Sequence, residues 1–128
     1  MGWYQITKKY HDRYAKPVMH TETNVFDPEA APTWLWKQWV NVLRMREDGV
    51  PVLGFTWYSL IDQIDWDIGL REKCGTVNGC GLFDLDRRRR PVSDAYRQLL
   101  EEFGNITIVP HADVFQLTDQ AARLKYAI

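Results

Sequence analysis

The chain has 128 residues, 45% hydrophobic and 26% charged, which allows one globular domain with a modest core and excludes a disordered chain. Its net charge of -1 gives no long-range attraction to nucleic acid or anionic lipid. No apolar run approaches the roughly 20 residues of a membrane helix, and residues 1–5 lack the features of a signal peptide. We therefore expect a cytoplasmic protein with no nucleic-acid or membrane partner, although a truncated reading frame would also lack a signal.

Helical and strand patterns alternate from the start of the chain. A helix is predicted over Trp3–Tyr14, where apolar residues share one face, and a strand rich in branched residues over Val18–Thr23. The clearest helical pattern covers residues 33–48, with Thr33 as the expected N-cap and Gly49 as the residue that ends the helix.

An almost wholly apolar segment, residues 50–57, comes next and is typical of a parallel strand covered on both faces. A long loop over residues 58–91 and a helix over residues 93–103 follow. Alternating β and α units predict an α/β fold with a parallel sheet. Two strands cannot complete such a sheet, so the pattern resembles a slice of a larger fold. For residues 105–128 we expect an extension of unclear structure, with a short strand over 106–109 and a weak helix over 117–126.

Two cysteines, Cys74 and Cys80, lie in a glycine-rich part of the long loop. Zinc ligand pairs usually lie closer together in sequence, and a second pair is missing. Two reduced thiols are the favoured interpretation, and a disulfide that closes the loop is the alternative.

The strand over Val18–Thr23 carries the first candidate site. Strand alternation is expected to place His20 and Glu22 on one face. A carboxylate at the C-terminal end of a parallel strand lies where barrel enzymes place catalytic groups. A solvent-exposed Glu in a cap or an ion pair is the alternative. His20 and Glu22 also have metal-ligand chemistry, but no third ligand has suitable spacing, and we expect no metal.

The second candidate site follows the apolar strand. Trp57 ends that strand, so its ring is expected at the mouth of the sheet. Asp65 and Trp66 combine a hydrogen-bond acceptor, an indole N–H donor and a flat ring, which together suit a sugar. Packing of both rings against the loop is the alternative.

These motifs occur in an order that resembles the C-terminal portion of family 1 glycoside hydrolases and related retaining (β/α)8-barrel glycosidases. That family has a Thr-Glu-Asn-Gly element on its seventh strand, and this chain has Thr21-Glu22-Thr23-Asn24. The family has Trp-Ser-Leu-Leu-Asp-Asn-Phe-Glu-Trp after the eighth strand, and this chain has Trp57-Tyr58-Ser59-Leu60-Ile61-Asp62-Gln63-Ile64-Asp65-Trp66. Later family elements, Gly-Leu-x-x-Val-Asp and Arg-x-Pro-Lys-x-Ser, correspond to Gly81-Leu82-Phe83-Asp84-Leu85-Asp86 and Arg90-Pro91-Val92-Ser93.

The resemblance implies that residues 1–104 form strands seven and eight of a TIM barrel with their helices, incomplete as a barrel. It implies that Glu22 is the nucleophile, that Trp57 is the aromatic platform under the sugar, and that Asp65 and Trp66 hold glycone hydroxyls. The chain departs from the family at four places: Asp65 replaces Glu, Tyr58 is an extra residue, Val92 replaces Lys, and Thr23-Asn24 replaces Asn-Gly.

A retaining glycosidase needs a second carboxyl group, the acid/base, at about 5 Å from the nucleophile. In the resembled family it is the Glu of an Asn-Glu-Pro element, which this chain lacks. We expect that element on a segment preceding Met1. The remaining glutamates are expected on helices or loops: Glu29, Glu47, Glu72, Glu101 and Glu102.

The sequence thus predicts part of a retaining hydrolase of O-glycosyl bonds in carbohydrate metabolism, without a cofactor and inactive in isolation. Its expected partners are a carbohydrate substrate and either further copies of the chain or the missing barrel portion. The alternative is a non-catalytic carbohydrate-binding or protein-interaction module derived from a glycosidase barrel. The run Arg87-Arg88-Arg89-Arg90 follows two aspartates and is interpreted as a solvated loop with local ion pairs.

Overall fold

A computed structural model describes residues 2–105, in which helices and strands alternate along the chain. The elements in order are α1 (Trp3–Tyr14), β1 (Val18–Thr23), α2 (Ala31–Glu47), β2 (Val52–Trp57), β3 (Gln63–Ile64), β4 (Val77–Asn78) and α3 (Pro91–Phe103). The predicted bounds of α1 and β1 are confirmed. The strand and helix predicted over residues 106–109 and 117–126 lie outside the described residues.

The ends of α2 show one wrong and one confirmed prediction. The helix begins at Ala31 rather than after Thr33, so Thr33 is not its N-cap. A turn precedes it, in which the Asp27 carboxylate accepts the N–H group of Glu29 at 3.0 Å, and Pro32 is tolerated in the first turn. At the other end Gly49 has φ 79°, the left-handed conformation that glycine adopts without strain after a helix.

Strands β1 and β2 are parallel neighbours joined through α2, as the alternating pattern predicts. Their contacts with helices come from one face: His20 stacks on Trp3 of α1, and Phe55 meets Trp39 of α2 edge-on. The other face is open, because Met19 is 55% and Leu53 46% exposed. The expectation that β2 is covered on both faces is therefore wrong for residues 2–105, which do not close a barrel.

Helix α2 lies between α1 and α3 and supplies five of the ten buried residues of the hydrophobic core. Trp39 packs between Phe55 of β2 and Phe103 of α3, with ring centroids 5.9 and 5.4 Å apart. The buried hydrophobic residues around it are Ala31, Leu35, Val42, Met45, Val50, Val52, Trp57, Val92 and Leu99. Burial of these side chains, at roughly 25 cal/mol per Å² of apolar surface, holds the helix layer on the strand pair.

The segment between β2 and α3 is more ordered than the predicted single loop. Strands β3 and β4 form a short antiparallel pair, and Phe83 bridges to Ile61 and to Arg89. Within residues 2–105 no helix is both long and apolar enough to cross a membrane.

Candidate functional site

The candidate site begins at Glu22, the second-last residue of β1. The side chain is exposed, whereas its neighbours His20 and Thr23 are buried. The pairing of β1 with β2 explains this pattern. His20 pairs with Phe55 and Thr23 with Trp57, so three steps on β1 match two on β2. This irregularity is a β-bulge, which re-aims a side chain next to it.

The prediction that His20 and Glu22 lie on one face is wrong, because the bulge places the two side chains differently. His20 contacts α1 on the covered face, while Glu22 is open to solvent. Burial lowers the pKa of His20, with the backbone of Glu22 acting in the opposite direction. The two side chains therefore do not converge on a metal ion. Among residues 2–105 no group of three metal-ligating side chains lies together.

Thr23, the residue after Glu22, connects three elements at this end of the sheet. Its carbonyl accepts the N–H group of Tyr58 at 3.0 Å. Its hydroxyl accepts the indole N–H of Trp34, from the first turn of α2, at 2.9 Å. The backbone beside Glu22 is thus fixed from the strand side and from the helix side.

Trp57 lies in the core rather than at an open mouth. Its ring is 6% exposed, and its indole N–H donates to the carbonyl of Cys80 at 2.9 Å. This placement differs from the prediction that the ring stands free at the end of the strand. The hydrogen bond from the ring instead fixes the backbone at Cys80, in the segment between β4 and α3.

The open aromatic surface comes from Tyr58 and Trp66. Both side chains are half-buried, and their ring centroids are 5.4 Å apart at an interplanar angle of 37°. The Tyr58 hydroxyl donates to the amide oxygen of Gln63 at 3.3 Å. The N–H of Trp66 donates to the side-chain oxygen of Asn78 at 2.7 Å, which fixes the backbone of Trp66 on β4.

Asp65 is buried and binds its own loop. Its carboxylate accepts three backbone N–H groups, from Cys74 and Gly75 at 3.0 Å and from Thr76 at 2.7 Å. These bonds, led by that of Gly75, hold the pKa of Asp65 below its ordinary value, although burial opposes them. Each carboxylate oxygen has two lone pairs, so Oδ1 keeps one acceptor position after binding Thr76. A sugar-binding role for Asp65 stays a prediction, and its observed role is to organise the 74–76 loop.

The Asp65 loop should lose stability in acid. Because the folded-state pKa of Asp65 is lowered, its contribution is present above the unfolded value of about 3.9 and is lost as pH falls through the folded value. Asp65→Asn replaces an acceptor oxygen by an amide donor that faces N–H groups. We expect it to lower the unfolding midpoint at pH 7 and the difference from wild type to shrink below pH 4, as measured by urea denaturation. A difference independent of pH would contradict this account, and Asp67→Asn is the exposed control.

The two cysteines are unbonded in the structure. Cys74 is exposed, and Cys80 is buried beside the Ser59 hydroxyl at 3.6 Å. The interpretation as two free thiols is confirmed for this conformation of the chain.

Comparison with known proteins gives a relation for this arrangement. No protein-family model matches the chain. The β-galactosidase of Sulfolobus acidocaldarius is 28% identical over 107 residues, which cover 80% of this chain and 21% of that protein. The crystal structure of the β-glycosidase from the hyperthermophile Thermosphaera aggregans superposes with a TM-score of 0.64 at 26% identity, over 85% of this chain and 22% of that one.

The chain is related to archaeal β-glycosidases. The chain spans about a fifth of the length of the relatives it matches. The structural neighbour is a β-glycosidase of the TIM-barrel fold, which agrees with the predicted barrel origin of the helices and strands. Assignment to family 1, and to its C-terminal portion, stays a prediction.

Tyr58 is an extra residue when Trp57 is matched to the first Trp of the family element. Residues 58–66 match the nine-residue family element without an insertion, if Tyr58 rather than Trp57 occupies the position of the first Trp. In the structure the Trp57 ring is in the core, and the Tyr58 ring is beside Trp66. The nine-residue length of the family element is the feature of the sequence that could have pointed to Tyr58.

The remaining glutamates do not offer a second catalytic group at a strand end. Glu47 lies in the last turn of α2, and Glu101 and Glu102 lie in the last turn of α3. Glu29 and Glu72 lie in exposed loops. Among residues 2–105, Glu22 is therefore the one glutamate placed at the end of a parallel strand.

Proposed function

We propose that this chain supplies the nucleophile half of a retaining glycoside hydrolase that cleaves O-glycosyl bonds. Glu22 is the nucleophile in this proposal, and Tyr58 with Trp66 forms the aromatic surface for the sugar. The acid/base belongs to another part of the barrel. The whole activity therefore requires the other strands, and residues 2–105 alone hold an incomplete site.

One observation carries the proposal, namely the continuous connection from Glu22 to the aromatic surface. Thr23 follows Glu22 directly and accepts the N–H group of Tyr58, whose ring packs on Trp66. An exposed carboxylate thus lies at the end of a strand that is hydrogen-bonded to an aromatic pair. Aromatic rings stack on the apolar faces of sugars, and a carboxylate can attack the anomeric carbon from one side.

The reaction requires two steps at Glu22. Its carboxylate oxygen forms a bond to the anomeric carbon while the bond from that carbon to the leaving oxygen breaks, and the acid/base gives the leaving oxygen a proton. Water then attacks the same carbon, loses a proton to the acid/base, and releases Glu22 as a carboxylate. Exposure of Glu22 at the bulge leaves the carboxylate accessible for the first step.

The surrounding residues position the groups that act. Trp57, held by Cys80, fixes the end of β2 from which Tyr58 extends. Asp65 shapes the loop that leads into β4, and Asn78 of β4 holds Trp66. Rigid support of this kind is needed, because small displacements of a reacting group reduce the rate strongly.

A covalent-labelling experiment tests the proposal on the chain as it exists. We expect no measurable turnover of aryl β-glycosides, because the acid/base and most of the sugar pocket are missing, and acid–base catalysis alone contributes about 10²- to 10⁴-fold. A 2-fluoro glycoside with an activated leaving group needs no acid to depart. Mass spectrometry should then show a slow adduct on Glu22 that is absent in Glu22→Gln and unchanged in Glu47→Gln. Rapid multiple turnover, or an adduct on another carboxylate, would contradict the assignment.

A non-catalytic carbohydrate-binding module is the second candidate. It is favoured by the half-buried Tyr58–Trp66 pair together with the lack of an Asn-Glu-Pro element in the chain. Calorimetric titration with oligosaccharides separates the two functions. Binding that is lost in Tyr58→Ala and kept in Glu22→Gln, with no covalent adduct in wild type, would support the module.

A further inference from the structure

Asp65 and Thr76 close the loop that connects β3 to β4. Asp65 follows β3 directly and Thr76 precedes β4 directly, so the two residues lie next to the paired residues Ile64 and Val77. The N–H group of Asp65 donates to the carbonyl of Thr76 at 2.8 Å, and the N–H group of Thr76 donates to the Asp65 carboxylate at 2.7 Å. The loop is therefore closed by a reciprocal pair of hydrogen bonds, one of them to a charged side chain.

The other polar groups of Asp65 are also used inside this loop. Its carbonyl accepts the N–H group of Leu70 at 3.0 Å, and its carboxylate accepts those of Cys74 and Gly75, both at 3.0 Å. Asp65 has φ 56°, the left-handed conformation, which aspartate adopts more readily than most residues other than glycine. Because Asp65 is only 5% exposed, a sugar hydroxyl has little access to the acceptor position that remains on Oδ1.

Trp66 is the first residue after this closure, and its backbone is held on both sides. Its N–H group donates to the side-chain oxygen of Asn78, a buried residue of β4, and its carbonyl accepts the N–H group of Gly69 at 3.0 Å. The direction in which the Trp66 ring leaves the backbone, toward Tyr58, is thus set by Asp65 on one side and by Asn78 on the other.

We propose that Asp65 is a positioning residue for Trp66 and does not itself hold a sugar hydroxyl. Its carboxylate closes the loop, the closed loop fixes the backbone of Trp66, and the indole ring lies beside Tyr58, where a sugar can stack on it. This role differs from direct contact with the glycone, which the family resemblance implies for Asp65. The inference rests on the proposed function, because it takes Trp66 as part of the sugar surface.

Stacking on a sugar is favoured by a ring that is already in place. A ring that is ordered before binding loses less conformational entropy when the ligand binds, and a misplacement of about 1 Å can reduce a rate by about 10²-fold. The charge of Asp65 is satisfied by three N–H groups of its own loop. At this position the sugar is therefore recognised by ring stacking and not by a carboxylate.

A double-mutant cycle between Asp65→Asn and Trp66→Ala tests whether Asp65 acts through the ring. The measured quantity is the rate constant for adduct formation on Glu22 with the activated 2-fluoro glycoside, where circular dichroism shows each variant folded. We expect Asp65→Asn alone to lower it by about 10²-fold. In the Trp66→Ala background it should have no further effect, because the ring that it positions is absent. Effects that add in free energy would overturn the proposal, and Asp67→Asn, an exposed carboxylate of the same loop, should leave the rate unchanged.

A cycle between Asp65→Asn and the substrate distinguishes positioning from sugar contact. The same rate constant is measured with 2-fluoro glycosides that each lack one further hydroxyl group, on C3, C4 or C6. A residue that holds a hydroxyl loses its effect when that hydroxyl is removed, whereas a positioning residue keeps its effect. Asp65→Asn should therefore lower labelling by the same factor, within about twofold, for the parent and for every deoxy glycoside. A factor that disappears with one deoxy glycoside would assign a direct contact to Asp65 and overturn the proposal.

Asn78→Ala is the second variant, which keeps the proposal testable if Asp65→Asn does not fold. It releases the N–H group of Trp66 and leaves the Asp65 carboxylate and its three donors in place. It should lower labelling of the parent and of every deoxy glycoside by one common factor, with no further effect in Trp66→Ala. An unchanged rate in Asn78→Ala would show that the backbone position of Trp66 does not control labelling, and would overturn the proposal.

The wild-type result separates this inference from the proposed function. An adduct on Glu22 together with a direct contact by Asp65 would overturn the inference alone. If wild type forms no adduct, the nucleophile assignment fails, and the same cycles are measured with the calorimetric Kd for an oligosaccharide and its deoxy analogues. A chain that neither forms an adduct nor binds a sugar would overturn both.

Discussion

Glu22→Ala should lower kcat for an aryl β-glycoside by several orders of magnitude in the assembled barrel that contains this chain. The reason is the loss of the covalent step, since Glu22 carries the one carboxylate of β1. Steady-state kinetics with a nitrophenyl glycoside gives kcat directly. Activity within tenfold of the parent enzyme would exclude Glu22 as the nucleophile.

Azide separates loss of the nucleophile from loss of the fold. A small anion can occupy the space of the missing carboxylate and attack in its place, so added azide should restore part of the turnover of Glu22→Ala. An unfolded variant would not respond. Glu47→Ala, which removes an exposed carboxylate at the end of α2, is the matched control and should keep kcat unchanged.

The order of elements could be predicted from the sequence because local patterns decide it. The bounds of α1 and β1 follow from apolar spacing and from the proline that cannot extend α1. The start of α2 could not be predicted in the same way. Thr33 has the side chain of an N-cap, but the Asp27 turn and Pro32 allow the helix to begin earlier, at Ala31. Thr33 and the Asp27 turn are competing local signals of similar strength, and the turn determines where α2 begins.

The candidate site was harder to predict, because it depends on contacts between distant segments. Glu22 could be identified as a candidate from its position near a strand end. The bulge that separates it from His20 could not be predicted, because no residue pattern in the sequence indicates it. Trp57 ends β2 and Tyr58 follows it, and only the structure shows that the first ring is buried and the second half-buried beside Trp66. An alternation of one residue reverses such an assignment.

The arginine run shows the same dependence on tertiary structure. Local ion pairs were predicted, and Arg88 does bond Asp86 at 2.9 Å with both side chains exposed. Arg90 departs from the prediction, because its guanidinium turns inward and binds Asp62, whose side chain has no solvent exposure. The contact joins residues 28 positions apart, which no local pattern indicates.

Asp62→Ala should destabilise the chain by about 3 kcal/mol, the lower part of the range for removing one partner of a buried ion pair. The Asp62 carboxylate accepts two guanidinium nitrogens of Arg90 and the N–H group of Gly81 at 2.9 Å. Gly81 packs so closely on the Asp62 backbone that a Cβ atom would not fit. Arg90 is partly exposed, which limits the loss. Urea denaturation of the isolated chain measures the change.

A double-mutant cycle with Arg90→Ala distinguishes loss of the ion pair from general destabilisation of the loop. If Asp62 acts mainly through Arg90, the double variant should be less destabilised than the sum of the single variants, because the second substitution removes a charge already left unpaired. Asp94→Ala is the exposed control: it breaks ion pairs with Arg89 and Arg97 and should cost less than about 1 kcal/mol. Equal losses for Asp62→Ala and Asp94→Ala would show that the 58–90 segment does not depend on the buried pair. A large loss confined to Asp62 and Arg90 would show that this pair joins the loop carrying Tyr58 and Trp66 to the start of α3, so the aromatic surface keeps its place only while the pair is intact.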